Sequence, residues 1–140
     1  MTLLIYLLVS LSSLTSQHDL ECPLDSCAHV TQWAHSGHTA LDFGGAVGDP
    51  VYAAADGAIY FAGEHCGTNP CANAITMLHG DGRLATNYWH LDEVLVEKGD
   101  YVRQGDVIGT IGMTGITTGP HLHFSVQIDR EHIDSSLFLF

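Results

Sequence analysis

The chain cannot build its core from helices. Beyond residue 16 its apolar residues come in short runs, "PVYAA", "GAIYFAG", "NAITMLHG", "LATNYWHL", "DVIGTIG" and "HLHFSVQI", separated by turn-forming residues. No stretch of ten or more residues there repeats its apolar positions at the helical period. Several runs are rich in β-branched and aromatic side chains, which suit a pleated, half-buried surface. Fifteen glycines punctuate the chain. The expected fold class is all-β, compact and mainly antiparallel. With 140 residues there is room for one domain with a hydrophobic core.

The first residues, "MTLLIYLLVSLSSLTS", are apolar from position 3 to about position 14. That run is shorter than the roughly 20 residues a spanning helix needs. It fits the apolar centre of a secretory signal peptide, although no Lys or Arg precedes it and no small-x-small cleavage site stands out. Residues 1–16 are therefore expected to be a signal peptide, cut between positions 13 and 17, and residues 17–140 a single domain. The mature protein would act in the periplasm, the cell envelope or the medium, with no stable membrane insertion.

The cysteines agree with export. Cys22 and Cys27 enclose four residues, and so do Cys66 and Cys71, the second pair around the turn-rich "GTNP". Of the three possible pairings, the local one needs no assumption about the fold. Two C-x4-C pairs also admit a zinc-ribbon reading, but an oxidising compartment favours disulfides. Sixteen acidic against four basic residues give a formal net charge of −12. Nucleic acid and anionic membranes call for clustered Lys and Arg, so neither is an expected partner. The acidity reads as a solubility surface.

Within this strand pattern, ligand-capable side chains interrupt three apolar runs. In "PHLHFSV", strand alternation places His121 and His123 on one face and Leu122 and Phe124 on the other. In "HSGHTALDFGG", His38 and Asp42 stand four apart, with His35 as a competing candidate. In "TNYWHLDE", alternation would put Tyr88 and His90 on one face, Trp89 and Leu91 on the other. A catalytic zinc takes three protein ligands of the His, Cys, Asp or Glu type and keeps a position for water. Taken singly, each cluster is weak, because ten histidines in 140 residues produce chance pairs. There is also an internal echo: "GDPVYAAADGAI" and "GDYVRQGDVIGTI" both open on G-D-x-V and run through turn residues into an apolar strand.

The four blocks "HTALDFGGAVGDPVYAAADG", "HGDGRLATNYWHL", "GDYVRQGDVIGTIG" and "TGPHLHF" occur in this order. Together they resemble the lysostaphin-like family of zinc metalloendopeptidases that cleave bacterial cell-wall peptides. The resemblance runs from about His35 to Val126 and leaves out "ECPLDSCAHVTQW" and the Cys66–Cys71 insertion. It implies a duplicated barrel-sandwich hybrid sheet with its site in an open groove. It implies one Zn2+ per chain held by His38, Asp42 and His123, with His90 and His121 off the metal as catalytic residues. It implies peptidoglycan peptides, in the stem or the cross-bridge, as substrates. The protein is expected to be a monomer.

Other readings keep the fold and change the function. A non-catalytic regulator of wall hydrolases would lack metal ligands, yet all five residues are present. A secreted protease acting on glycine-rich proteins would use the same chemistry. A carrier or phosphotransfer domain would leave Asp42 without a reason. Tyr88 could add a hydroxyl near the site or simply pack. His29, His35, His65, His79 and His132 read as surface or loop residues, His65 with a possible reach into a cleft. Gly112, Gly115 and Gly119 read as backbone requirements.

Overall fold

A computed structural model describes residues 20–140, so the expected signal peptide lies outside the described residues. The described residues form ten strands and one terminal helical turn. The strands are β1 (Val30–Gln32), β2 (Leu41–Gly44), β3 (Pro50–Tyr52), β4 (Gly57–His65) and β5 (Ala72–His79). They continue with β6 (Leu84–Val94), β7 (Tyr101–Val102), β8 (Val107–Ile111), β9 (His121–Ile128) and β10 (Glu131–Ile133), and α1 (Ser136–Leu139) follows. The all-β, antiparallel expectation holds. All strands join one open sheet in the order β1-β2-β9-β6-β5-β4-β7, with β10 beside β9, and β3 joined through β8 to β6.

Strand β6 organises this sheet. It lies between β5 and β9 along most of its length, and its far end pairs with β8 through Leu91↔Ile111 and Val94↔Gly109. The sheet buries one face. Leu41, Phe43, Ile75, Met77, Tyr88, Leu91, Ile108, Ile111, Leu122 and Phe124 are all at most 1% exposed. Leu122 and Phe124 turn inward and leave His121 and His123 on the opposite, open face, as alternation requires.

The G-D echo is one turn used three times. Asp49 donates its N–H to the Ala46 carbonyl at 3.0 Å, and its carboxylate accepts the Ala46 N–H at 2.9 Å. Asp100 does the same with Glu97, and Asp106 with Arg103, at the same distances. The preceding Gly48, Gly99 and Gly105 all have positive φ, 95°, 96° and 85°, which a side chain would resist. Each turn launches a strand (β3, β7 and β8).

Both local disulfides are present, Cys22–Cys27 and Cys66–Cys71, with Cα separations of 5.8 and 4.3 Å. The first ties off a segment that runs beside β3, where Glu21 N–H meets the Ala54 carbonyl and the Pro23 carbonyl accepts the Tyr52 N–H. Among the described residues, no helix is long and apolar enough to cross a membrane.

Candidate active site

Three backbone segments meet on the open face. The "HSGH" stretch closes a tight turn in which His35 and His38 exchange both backbone hydrogen bonds, at 2.7 and 2.9 Å, with Gly37 at φ 96°. This turn delivers His38 next to β2. On β2, Asp42 lies directly across from His123 of β9, and Gly44 across from His121. One carboxylate therefore faces both β9 histidines.

The distances are short. His123 Nδ1 stands 2.8 Å from Asp42 Oδ1, and His38 Nε2 stands 3.7 Å from Asp42 Oδ2. Single donor atoms from His38, Asp42 and His123 all fall within 4.8 Å of one another. Two ligands about 2.1 Å from a tetrahedral ion are about 3.4 Å apart, so small rotations would bring these donors into one coordination sphere. His38 Nδ1 is buried without a hydrogen-bond partner, and the ring's polar engagement is the loose 3.7 Å approach of Nε2 to Asp42. Two imidazoles and a carboxylate, half-buried around a gap, are a donor set that fits a divalent metal with a position left open. Burial works against ionisation of Asp42, but the His123 hydrogen bond and the fields of His123, His121 and His38 outweigh it. They hold the carboxyl below its usual range.

His90 and His121 complete the cluster. Their ring centroids are 4.7 Å apart, and His90 lies 5.8 Å from His123. His121 Nε2 reaches to 3.9 Å from Asp42 Oδ1. Each ring is anchored from behind: His90 Nδ1–H donates to the Thr114 carbonyl at 2.7 Å, and His121 Nδ1–H to the Gly119 carbonyl at 2.9 Å. A carbonyl can only accept, so the proton of each neutral ring sits on Nδ1 and the Nε2 lone pair is left for the site. Burial pushes the His90 imidazole below its ordinary value; the Thr114 bond opposes this, and the neighbouring His121 and His123 add to it.

Simple alternation fails at β6, and the structure corrects the expected faces there. Tyr88 points inward, fully buried, rather than sharing the site face with His90. Trp89 points outward, paired across the sheet with His123. His90 then also turns outward because its backbone is left-handed, φ 68°, at a bulge where the register with β5 slips between Asn73 and Ala74. A left-handed histidine costs on the order of 1 kcal/mol, and such strain persists only where the surroundings enforce it. Here Thr114 does so. Its hydroxyl donates to the Leu91 carbonyl and accepts the Asn73 N–H, and its own carbonyl holds His90. Sequence reasoning did not single out Thr114 or Trp89, and no local pattern marks a bulge in "YWHL".

The remaining histidines divide. His35 is exposed, and both of its ring nitrogens are engaged, with Gln32 and the Ser36 carbonyl. It is not part of the cluster. His65 packs its ring 4.8 Å from Trp89 and so forms a wall beside the site. His79 is not the surface residue expected: it is 4% exposed, bridges the Asp56 carbonyl and Thr86 Oγ1, and is pushed down by burial. The Tyr88 hydroxyl continues this network to Thr86 and the Ala54 N–H, which makes its role one of packing; burial pushes its pKa up to about 12. The second possible metal group, Glu64 with Cys66 and Cys71, has its sulfurs joined in a disulfide.

The profile of peptidase family M23 matches residues 36–135. The chain belongs to peptidase family M23. Over 98 residues it is 37% identical to the peptidoglycan DD-endopeptidase ShyB of Vibrio cholerae, a match that takes in 70% of this chain and 22% of that protein. Among solved structures, a zinc-containing peptidase from Vibrio cholerae superposes with a TM-score of 0.69 at 32% identity, covering 79% of this chain and 37% of that one. The catalytic domain of the antimicrobial peptidase lysostaphin from Staphylococcus simulans gives 0.62 at 35% identity, covering 72% and 75%. The chain thus spans about a fifth of the length of the curated M23 relative and most of lysostaphin's catalytic domain. All five clustered residues fall inside the matched M23 region.

Proposed function

We propose that this M23 domain is a zinc-dependent endopeptidase that hydrolyses peptide bonds of bacterial peptidoglycan, in the stem or the cross-bridge, outside the cytoplasm. The observation that carries the reading is the convergence of His38, Asp42 and His123 within 4.8 Å, with the His90 and His121 rings beside them. An M23 relative named as a peptidoglycan DD-endopeptidase supports the substrate class. Two disulfides, and the apolar leader beyond the described residues, support export. Completeness of the cluster weighs against a non-catalytic regulator.

In this reading His38, Asp42 and His123 hold the ion. When bound, zinc supplies a Lewis acid for the peptide carbonyl and lowers the pKa of a water to about 7. The chain's own groups do the rest. The substrate backbone lies on the open face, where the cleft next to Asp42 and His121 is lined by Thr31, Gln32, Thr118, Gly119 and Pro120. One of the two Nε2 atoms, on His90 or His121, takes the proton of the attacking water. The leaving amine needs a proton as the C–N bond breaks, and the imidazolium just formed can return it. The other ring, beside the carbonyl, stabilises charge that develops on its oxygen. The Thr114 and Gly119 carbonyls fix both rings through Nδ1–H, which leaves the base its Nε2 lone pair; the ring facing the oxyanion must carry a second proton on Nε2 to donate to it.

The test is digestion of purified wall sacculi by the zinc-loaded protein, with mass spectrometry of the released fragments. New amino termini at peptide bonds, abolished by a chelator and restored by zinc, are the expected result. Intact sacculi, or cleavage indifferent to the chelator, would overturn the proposal.

A further inference from the structure

The open face does not end at the metal cluster. Beyond the His123–Trp89–Ala74 row, register places Ser125, Asn87 and Thr76 side by side, and then Gln127, Ala85 and Leu78. The middle row is a hydrogen-bonded ladder. Thr76 Oγ1 donates to Asn87 Oδ1 at 2.7 Å, and Asn87 Nδ2 donates to Ser125 Oγ at 3.2 Å and Gln127 Oε1 at 3.4 Å. The last row floors a depression of about 400 Å³, bordered also by Tyr60, Gly82, Arg83 and Arg130. Gln127 is four residues along β9 from His123, about 13 Å at about 3.3 Å per residue.

Charge makes this depression unusual. The chain has four basic residues against sixteen acidic ones. Arg83 and Arg130 border the depression, and Lys98 Nζ sits 5.7 Å from the ring centre of Tyr60, which also borders it. Two of the four cations thus border the depression, and a third lies against the ring of Tyr60 at its edge. Arg83 is spent on Asp129, with two contacts of 2.8 Å. Among the described residues, neither Arg130 nor Lys98 has a carboxylate within ion-pair distance. Arg130 is also held at φ 69° in the two-residue turn between β9 and β10, next to Asp129 at φ 51°. Such turns favour Asn and Gly, and a long cation there costs on the order of 1 kcal/mol. An exposed, strained, unpaired guanidinium beside a cavity calls for an anion.

Resting on the endopeptidase reading, we propose that this depression is a carboxylate subsite. Arg130, reinforced by Lys98, takes a free carboxylate of an acidic peptide that lies along β9. The apolar floor of Ala85 and Leu78 carries that residue's aliphatic part. The subsite lies about four extended residues from the bond cut and makes the enzyme prefer acidic peptides despite its own negative charge.

The test uses zinc-loaded protein and paired peptides that differ only in Glu or Gln four residues from the cleavable bond, placed in turn on each side of it. For one side, replacing Glu by Gln should raise KM about three- to tenfold with kcat unchanged, as expected for a charge-assisted contact at a partly exposed site. The advantage of Glu should shrink as salt is raised from about 20 to 500 mM. Arg130→Asn, a residue that tolerates the left-handed turn, should abolish the difference with thermal stability retained. Arg130→Lys should keep part of it. Equal KM values for Glu and Gln in the wild type on both sides, or a preference that survives Arg130→Asn, would overturn the subsite. Fluorescence anisotropy with the same peptides, labelled, reads the Glu-to-Gln affinity ratio without turnover. Absence of hydrolysis would then count against the endopeptidase reading while the binding ratio still decides the subsite.

Discussion

Replacing Gly115 by alanine isolates the device that holds His90. Gly115 follows Thr114, whose carbonyl accepts the His90 Nδ1–H, and it has φ 83°. A Cβ built there would lie 2.7 Å from the Ala72 Cβ and 3.2 Å from His90 Nδ1. Two costs add. The left-handed backbone costs alanine about 1–2 kcal/mol. Relieving a contact below 3 Å in a packed site costs about 1–3 kcal/mol more. The sum is about 2–5 kcal/mol, which for a domain of about 120 residues lowers Tm by about 8–20 °C. Relief of the clash must move either Ala72, at the start of β5, or the Thr114–His90 pair. Turnover should therefore fall by at least about tenfold, since loss of a positioning contact typically costs 10- to 100-fold. Metal content should be unchanged, because the atoms nearest the added Cβ belong to Ala72 and His90 and none to His38, Asp42 or His123. Calorimetry, metal analysis and steady-state kinetics read the three quantities. Gly119→Ala serves as the stability control, since a Cβ there meets nothing within 4 Å. A Gly115→Ala protein with wild-type Tm and kcat would refute the account of how His90 is held.

His38→Ala, Asp42→Ala and His123→Ala should each lower metal content and activity together, read by elemental analysis after dialysis; full occupancy with retained hydrolysis would remove that residue from the ligand set. His90→Ala and His121→Ala should abolish turnover with the metal still bound, and loss of metal instead would mean that the two shells are reversed. Activity should fall as pH drops through about 6.5 and below, the range where imidazoles ordinarily take up protons, because the imidazole acting as base and the ligand imidazoles must be unprotonated; a flat profile between about pH 5 and 8 would contradict this. Stability should follow the same direction through His79. Burial pushes its folded pKa below the unfolded value of about 6.5, so below that pH the unfolded chain binds the extra proton and folding weakens, while above it the contribution is fully present. Thermal melts of wild type and His79→Gln between about pH 5 and 7.5 measure it, and identical pH slopes in the two would refute it.

What could be read along the chain was whatever depends on local chemistry. Short β-branched runs between glycines dictate strands, because no helical face can be drawn through them. The G-D pairs at Gly48, Gly99 and Gly105 carry their own turn, since the aspartate caps the backbone three residues before it. Period-two alternation placed His121 and His123 on one face because β9 is regular from end to end. Closely spaced cysteines could find each other without knowledge of the fold. That His38 and Asp42 belong with His123 came from likeness to a family, not from spacing.

Only the tertiary structure decided the rest, wherever a side chain's direction depends on a distant neighbour. Trp89 and His90 both face the site because Thr114, 24 residues further on from His90, holds a left-handed residue that the local pattern would turn inward. His79 is buried because the Asp56 carbonyl and Thr86 hydroxyl satisfy both of its nitrogens. Lys98, Arg83 and Arg130 converge although each stands alone in sequence. Periodicity encodes which face a regular backbone offers, but it carries no information about where a bulge breaks the alternation. Nor does it say which remote groups then meet across the sheet.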